Sequence, residues 1–320
     1  MEASTETDKT AYIVLNPVAG IVNPQVLRRV IENRFRALGW QTRFHVTEED
    51  ENTAELVAAE IQSGVDLVVS AGGDGTIASV AAGMVGSEVP LGIIPTGTWN
   101  AIARHLTVPF NPIRAVNLMT GAHEIRRLDL MRVGDTIHAM NIGVGFSASM
   151  VANTTRTEKR RLGNIAYFST IFKQIFGLEM RRYSIDADGK HYRGRATEIF
   201  VANYGMVGLR AIENVLDIKP DDGKVDVLIL RARTILDLPV MFWQAFVLRQ
   251  KRAPKYRQLS AASNLVIRTN PPASVQADGE LVGMTPISVT VLPQSVNVIV
   301  PQPVNWKIEL PINRTGQNKD

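Results

Sequence analysis

The chain has 320 residues, with 35 Lys and Arg against 31 Asp and Glu and no cysteine. That length allows two domains, or one large one, around a full hydrophobic core, and the missing cysteines exclude disulfides, thiolate zinc sites and cysteine nucleophiles. A net charge of +4 is mild and argues against a nucleic-acid partner, so only local clusters of basic residues carry meaning. Met1–Thr10 is acidic and polar, unlike a secretory signal, and no apolar run reaches the roughly 18 residues of a membrane span. The expected compartment is the cytoplasm, and the Asn-x-Thr triplets at Asn153 and Asn313 lack a secretory context.

From Ala11 to about Arg127 the pattern alternates strand and helix. Tyr12–Leu15 reads as a strand, and Asn23-Pro24 opens a helix with an N-cap and a proline at its first position. Thr42–Val46 is a second strand, followed by a helix over Thr53–Ile61. Val65–Ala71 is a third strand running into a helix over Ile77–Val85. Leu91–Ile94 is the fourth, followed by a helix over Ala101–Leu106. Such alternation predicts a mostly parallel sheet covered on both faces, with sites at the C-terminal ends of its strands. After Asp129 the style changes to short strand-like runs: Ile137–Asn141, Arg182–Ala187, Ala196–Ala202, Val225–Leu230, Leu265–Arg268, Ile287–Leu292 and Val296–Val300. Turn signals such as Asp188-Gly189 and Asp222-Gly223 separate them, which predicts an antiparallel sheet or sandwich interrupted by two inserted helical segments. The expected fold class is α/β plus β: an α/β domain over 11–130 and a β-rich domain over 131–310, with the C-terminal segment free to return to the first.

Gly72-Gly73-Asp74-Gly75-Thr76 stands between the third strand and its helix. A strand, a glycine-rich turn and a helix in that order form a phosphate cradle. Glycines let the backbone approach an anion, the helix end offers unpaired N–H groups, and Thr76 adds a hydroxyl. Asp74 would repel a phosphate unless a divalent cation sat between them, as in phosphoryl transfer. A tight turn with a capping aspartate is the plainer reading of this block alone. The first strand ends in Asn16-Pro17-Val18-Ala19-Gly20 and the fourth in Pro95-Thr96-Gly97-Thr98-Trp99-Asn100, so a parallel sheet would bring three polar turns to one edge. No Gly-x-x-x-x-Gly-Lys-[Ser/Thr] sequence exists, which excludes a P-loop NTPase, and the first turn lacks the Rossmann glycine fingerprint.

With Asn-Pro-Val-Ala-Gly (16–20), Gly-Gly-Asp-Gly-Thr (72–76), Gly-Thr-Trp-Asn-Ala-Ile-Ala-Arg (97–104) and Asp-Gly-Glu (278–280) in this order, the chain resembles the diacylglycerol kinase catalytic-domain family. That family includes bacterial lipid kinases, sphingosine kinases and ceramide kinases. The resemblance implies a first domain like those of phosphofructokinases and NAD kinases, with ATP bound in a cleft between the domains. On that pattern Asn16, Pro17, Val18, Ala19, Gly20, Thr47, Gly72 to Ser79 (including Asp74, Thr76, Ile77 and Ala78), Thr98 and Asn100 line the ATP site. Asp129 supports a metal-linked network, and Lys219-Pro220-Asp221-Asp222-Gly223-Lys224 resembles a magnesium loop. There Asp222 is the side-chain ligand and the carbonyls of Lys219 and Lys224 assist. As bare chemistry, Asp-Asp-Gly before a strand is a turn. In Asp278-Gly279-Glu280 two carboxylates flank a glycine, so one can take a proton from an attacking hydroxyl. The resemblance favours Glu280 as that base, with Asp278 orienting it or helping to hold the metal, and Asp74 acting on the transferred group. The tripeptide alone reads as a solvated hairpin turn.

Two departures from the family pattern stand out: the first weakens nothing essential, and the second bears on the substrate. Ala101 stands where the family often has an aspartate after Asn100, and Ser149 stands where sphingosine kinases carry an aspartate that meets the amino alcohol. A serine cannot pair with a cationic amine, so a neutral, diacylglycerol-like hydroxyl is the expected acceptor. Lys159-Arg160-Arg161 precedes apolar residues at helical spacing from Ile165 to Phe176, and the apolar run Leu238–Leu248 leads into Arg249, Lys251, Arg252, Lys255 and Arg257. Such helices either pack on the sheet or lie at an anionic bilayer surface. The expected partners are thus ATP with magnesium, a lipid substrate and an anionic membrane surface, with a homodimer left open. The five histidines show no metal-binding spacing and read as structural. The rival readings are an NAD kinase-like small-molecule kinase and a lipid-binding relative without catalysis.

Overall fold

The computed structural model describes residues 9–19, 23–49, 51–153, 179–204, 217–232, 252–302 and the single positions 234, 237 and 243. Gly20, the Lys159–Phe176 stretch and most of the Leu238–Lys251 stretch lie outside the described residues, so the two inserted helical segments are not taken further.

The first part of the chain alternates strictly. Its elements are β1 (Thr10–Leu15), α1 (Pro24–Ala37), β2 (Gln41–Val46), α2 (Thr53–Gln62), β3 (Leu67–Gly72), α3 (Asp74–Gly83), β4 (Leu91–Pro95), α4 (Ala101–His105) and α5 (Pro112–Thr120). The four strands are parallel in the order β2-β1-β3-β4. Local chemistry starts the helices: the Asn23 side chain accepts from Gln25 N–H with Pro24 at the first position, and Asn52 and Asn111 cap α2 and α5 in the same way. Helix α5 was legible in Asn111-Pro112 by the same rule but is absent from the sequence-based expectations. β3 and β4 are buried along their whole length, as a central parallel strand covered on both faces must be. One core lies on each side of this sheet. Leu27, Ile31 and Phe35 of α1 with Ala115, Val116 and Met119 of α5 fill one side, and α2, α3 and α4 fill the other.

The second part contains β5 (Glu124–Val133), β6 (Thr136–His138), β7 (Asn141–Gly145), α6 (Phe146–Asn153), β8 (Arg181–Ala187), β9 (Lys190–Ala196), β10 (Glu198–Ala202), β11 (Val225–Leu230), β12 (Arg252–Ala253), β13 (Tyr256–Ala261), β14 (Asn264–Asn270), β15 (Ser274–Ala277), β16 (Glu280–Met284) and β17 (Ile287–Val300). Here the structure corrects several sequence readings. Ile137–Asn141 is not one strand, because β6 ends at His138 and β7 begins at Asn141 in the other sheet. Ile287–Leu292 and Val296–Val300 are one strand, β17, with a register shift where residues 293–295 bulge out of its ladder with β5. β5 and β9 were not expected as strands. Both are rich in charged residues, and their pairing with β17 and β8 is a tertiary fact.

β17 joins the two parts. It runs parallel to β4 at Val298 opposite Leu91 and antiparallel to β5 over most of its length. The parallel sheet therefore continues as β4-β17-β14-β8-β9, a ten-stranded sheet with β5 and β6 branching from β17. The second sheet, β12-β13-β11-β10-β7-β15-β16, is antiparallel and packs face to face on the β17-β14-β8-β9 extension. Ile142, Val144, Ile199, Val201, Ile185, Ile267 and Val289 belong to the core between them, so this part is an antiparallel β-sandwich.

Two buried details carry consequences. A Cβ on Gly83, at the end of α3, would run into the Ala54 carbonyl oxygen and come within 2.9 Å of Val57 Cβ, so α3 seats against α2 backbone to backbone. Glu198, at the start of β10, is buried and accepts from Ser147 N–H at 3.0 Å and Ser147 Oγ at 2.5 Å, at the N-terminus of α6. Burial raises its carboxyl to about 7 even though the Ser147 and Phe146 amides favour the charged form.

Gly83→Ala should lower unfolding stability by about 1–3 kcal/mol in urea titrations, the usual cost of overpacking. An unchanged midpoint would show that α2 and α3 slide apart freely. For Glu198 the folded pKa lies above the ordinary value of 4.5, so its contribution to stability is full below about pH 4.5 and is lost as pH rises through about 7. The loss is on the order of 3 kcal/mol, at 1.36 kcal/mol per pH unit. Glu198→Gln, which keeps the acceptor for the α6 amides, should flatten this slope in melting curves across pH 5–8. Parallel curves for both proteins would contradict the burial argument.

Candidate active site

Strands β1, β3 and β4 are neighbours, so the turns that follow them meet at one sheet edge. Three main-chain bonds extend the ladder into the turns: Asn16 N–H to Ala71 O, Thr47 N–H to Leu15 O and Thr96 N–H to Gly72 O, each at 3.0 Å. The Asn16 side chain spans two turns, with Nδ2 donating to Thr76 Oγ1 at 2.9 Å and Oδ1 accepting Val18 N–H at 3.0 Å. A Cβ on Gly97 would lie 2.6 Å from Gly73 Cα, so the second and third turns touch through bare backbone and Gly97 cannot be replaced without parting them. Asn100 sits at φ 47 with its side chain folded back onto Gly97, Oδ1 accepting the Gly97 N–H at 2.9 Å and Nδ2 donating to the Gly97 carbonyl at 2.6 Å. Thr98 and Trp99 are left exposed at the edge.

In α3 the first intrahelical bond is Ile77 N–H to Gly73 O. The N–H groups of Asp74, Gly75 and Thr76 come before it, at the positive end of the helix, where an anion is favoured. Asp74 turns one oxygen to the Ile102 N–H at 3.0 Å, capping α4. Ile77 and Ala78 are core residues, so of the expected nucleotide-lining positions these two face the interior. Ser79 is exposed and donates to Gly75 O at 3.1 Å. Asn16, Pro17, Val18, Ala19, Thr47, Gly72, Gly73, Gly75, Thr76, Thr98 and Asn100 all fall on this one edge or its immediate support.

The Asp278-Gly279-Glu280 turn joins β15 to β16. Asp278 and Gly279 have φ 48 and 88, a two-residue hairpin turn of the kind that matches strand twist. The two carboxylates have different surroundings. Asp278 accepts the N–H groups of Ala139, Met140 and Asn141 at 2.8, 2.9 and 2.9 Å, and His138 Nδ1 lies 3.7 Å away. It thereby caps the break where the chain crosses from β6 in one sheet to β7 in the other. Glu280 is exposed, with no bonded partner among the described residues. Gln276, missed from sequence, braces the turn: Oε1 accepts Gly279 N–H at 2.9 Å, and Nε2 donates to Asn141 Oδ1 at 3.0 Å.

β6 packs on α3, and the buried Tyr204 ring meets His105 of α4 edge-on at 5.5 Å, so the second part closes over the helices that follow the glycine turns. Arg126 and the carboxylates of Asp278, Asp221 and Asp129 all act on the charge of the Tyr204 phenol, Arg126 in the opposite sense to the acids. Burial raises its phenol above the ordinary value, and the carboxylates add to the rise. Asn203 beside it donates to the carbonyls of Asp129 and Ala139 at 2.6 and 2.9 Å. Neither residue was marked in the sequence, where Asn203-Tyr204 merely follows a strand.

Asp129 is fully buried, and its oxygens accept the N–H groups of Gly223 and Gln294, both at 2.7 Å. Its own N–H donates to Pro220 O at 2.6 Å, so it fixes the 219–224 loop from β5. Burial raises its carboxyl above the usual range despite those bonds, and Asp222 and Asp221 push the same way. Within the loop Asp221 pairs with Arg126, and Asp222 is exposed, with one oxygen accepting Lys224 N–H at 3.1 Å. One open carboxylate on a turn with main-chain carbonyls is a hard-oxygen donor set of the kind magnesium takes with water completing its shell. Asp222 with the carbonyls of Lys219 and Lys224 fits such an ion. Asp129 would serve such an ion by holding the loop, since both its oxygens already accept main-chain N–H groups. Among the described residues no three His, Asp or Glu side chains form a closed metal cage. Ser149 of α6 donates its hydroxyl back to Gly145 O, at the end of β7, at 3.0 Å.

A family model described as the diacylglycerol kinase catalytic domain matches residues 10–133, and one described as the YegS C-terminal NAD kinase beta sandwich-like domain matches residues 140–300. Among curated proteins, one from Synechocystis sp. named only as uncharacterized is 28% identical over 312 residues, 92% of this chain and 70% of that protein. A Staphylococcus carnosus protein named "Putative lipid kinase" is 28% identical over 243 residues, 74% of this chain and 78% of that protein. Among solved structures, a diacylglycerol kinase from Bacillus anthracis str. Sterne matches with a TM-score of 0.72 at 25% identity, covering 92% of this chain and 98% of that one. The two models lie end to end over the parallel and the antiparallel parts, and the chain belongs to the diacylglycerol kinase catalytic-domain family.

Proposed function

We propose that this protein is an ATP-dependent lipid kinase that transfers the γ-phosphoryl group to the hydroxyl of a neutral, diacylglycerol-like lipid at the surface of an anionic membrane. The observation that carries this reading is the division of labour in one hairpin turn: Asp278 is fully engaged by three main-chain N–H groups, whereas Glu280 is open and unpaired. A carboxylate held on a rigid turn and free of partners can take the proton of an acceptor hydroxyl. Family membership supplies the chemistry and the lipid class; the turn supplies the base.

The ATP phosphates would lie along the edge formed by the three turns, against the N–H groups of Asp74, Gly75 and Thr76 and beside Asn16. Magnesium, when held by Asp222 and the carbonyls of Lys219 and Lys224, would neutralise charge on the phosphates. Asp74 lies between the glycine turn and α4, where its second oxygen is open to that network. Asp278 and Gln276 keep Glu280 at a fixed place, and Asp129 keeps the loop of Asp222 in register with it. Ser149 makes the amine of a sphingoid base a poor fit, because a buried ammonium without an opposing charge loses hydration that a hydroxyl does not restore.

Incubation with labelled ATP and a panel of lipid alcohols in mixed micelles should label diacylglycerol ahead of sphingosine. Faster labelling of sphingosine would overturn the substrate assignment, and transfer to NAD but to no lipid would favour the small-molecule kinase reading. Glu280→Gln should leave ATP binding unchanged and lower turnover by about 10²–10⁴-fold, the usual worth of a positioned base. A larger loss in Asp278→Asn with an intact turn would reverse the roles of the two carboxylates. Asp222→Asn should raise the magnesium concentration needed for half-maximal turnover; an unchanged requirement would place the ion elsewhere.

A further inference from the structure

The outer face of the sandwich, at the β14-β8-β9 end of the ten-stranded sheet, carries a concentration of one charge. β9, β8 and β14 lie side by side, and their registers align Arg193 with Ser184 and Arg268 in one row, and Arg195 with Arg182 and Asn270 in the next. Residues paired in this way share a face. The opposite face holds Tyr183, Ile185, Leu265 and Ile267 in the sandwich core, so the four arginines point outward, and all four are exposed. With neighbouring strands about 4.8 Å apart, they form a compact array around Ser184. Among the described residues none of the four has an ion pair or a side-chain hydrogen bond. The single acid that β8, β9 and β14 place on this face, Asp186, already faces His191 at 3.2 Å.

Like charges directly opposite each other on a sheet are destabilising, and Arg182 and Arg195 are such a pair. Among the described residues no contact rewards their charge, and a neutral strand residue would pair as well at each place. Their arrangement suits an external partner that presents several anionic oxygens in a plane. Guanidinium forks bind phosphate oxygens in bidentate fashion, and the face is three strands wide, with one ring on it, His191, that is already engaged with Asp186. A duplex groove admits a helix or a two-stranded ribbon, and this broad face is neither.

We propose that the Arg182, Arg193, Arg195 and Arg268 face is a docking surface for the phosphate headgroups of an anionic bilayer. The choice of a bilayer over another polyanion rests on the lipid-kinase reading. The surface is separate from the ATP edge and from the hairpin turn of Glu280, and it supplies an electrostatic hold on the membrane that the site itself does not contain. Each basic residue near such a surface adds to binding, and the hold weakens as salt screens it.

The test is vesicle sedimentation without ATP, using vesicles of equal parts phosphatidylglycerol and phosphatidylcholine against pure phosphatidylcholine. The wild type should bind the anionic vesicles alone, with affinity falling as salt rises. The quadruple variant R182Q/R193Q/R195Q/R268Q should bind them about a thousandfold more weakly, the scale expected for four surface charges at about 1 kcal/mol each. Its melting temperature should be no lower than that of the wild type, since repulsion has been removed. A control variant with Arg29, Arg36, Arg114 and Arg127 changed to Gln has lost the same charge and should bind nearly as the wild type does. Equal binding by the quadruple variant, equal weakening in the control, or no binding by the wild type would each overturn the proposal. Tighter wild-type binding to duplex DNA, lost in the quadruple variant, would do so in favour of a nucleic-acid partner. Turnover of a soluble short-chain diacylglycerol should be the same in wild type and quadruple variant. If neither shows any, the kinase reading fails, and the vesicle result still decides whether this face binds anionic lipid.

Discussion

Every main-chain and carboxylate polar atom of Asp129 bonds to a different part of the chain. Its N–H goes to Pro220, its carbonyl receives Asn203 Nδ2, and its two carboxylate oxygens receive the amides of Gly223 and Gln294. A buried carboxylate without such donors would cost several kcal/mol. Here the donors come from the 219–224 loop and from the bulge of β17, and each depends on the carboxylate for its own satisfaction. The bulge is part of the same constraint. Where residues 293–295 leave the ladder, β5 loses its partner strand, and Asp129 takes over the connections that the ladder would have made. The loop of Asp222, the strand shared by both parts and the Asn203–Tyr204 pair are thereby fixed to one another.

Asp278 repeats this logic at the other junction. A strand that left one sheet at His138 and entered the other at Asn141 would expose three amides in its crossing, and one carboxylate satisfies all three. The cost of the crossover and the placement of the hairpin turn are thus solved by the same group. This explains why two acids separated by one glycine have such different surroundings. Asp278 must face inward to cap the crossing, and the hairpin then directs Glu280 to the open side.

The glycine turns obey a steric constraint and a topological one. Parallel order brings the ends of β1, β3 and β4 together, and Gly73 and Gly97 let the second and third turns touch without side chains between them. Asn16, Asn100 and Asp74 then use their polar groups to hold the turns and α4 in place. The edge is rigid before any ligand arrives, which is what positioning of a transferred group requires.

The sequence by itself determined the strand–helix alternation up to residue 106, the caps at Asn23 and the glycine turns, because these depend on local chemistry: apolar period, proline at a first helical turn, glycine where backbone must come close. It also determined the family, since four short blocks in order are a local pattern. What it did not determine is everything that depends on pairing between distant segments. β9 is too polar to be read as a strand, and its strand form comes from the hairpin with β8. β5 carries charged residues at both alternations, and its strand form comes from pairing with β17. Ile137–Asn141 reads as one run, yet it divides between two sheets because an aspartate 137 residues further on captures the amides of its break. The engagement of Asp129 and Asp278 and the openness of Glu280 are equally tertiary. A carboxylate's character is set by the amides and water around it, and only the assembled fold decides which of those it meets.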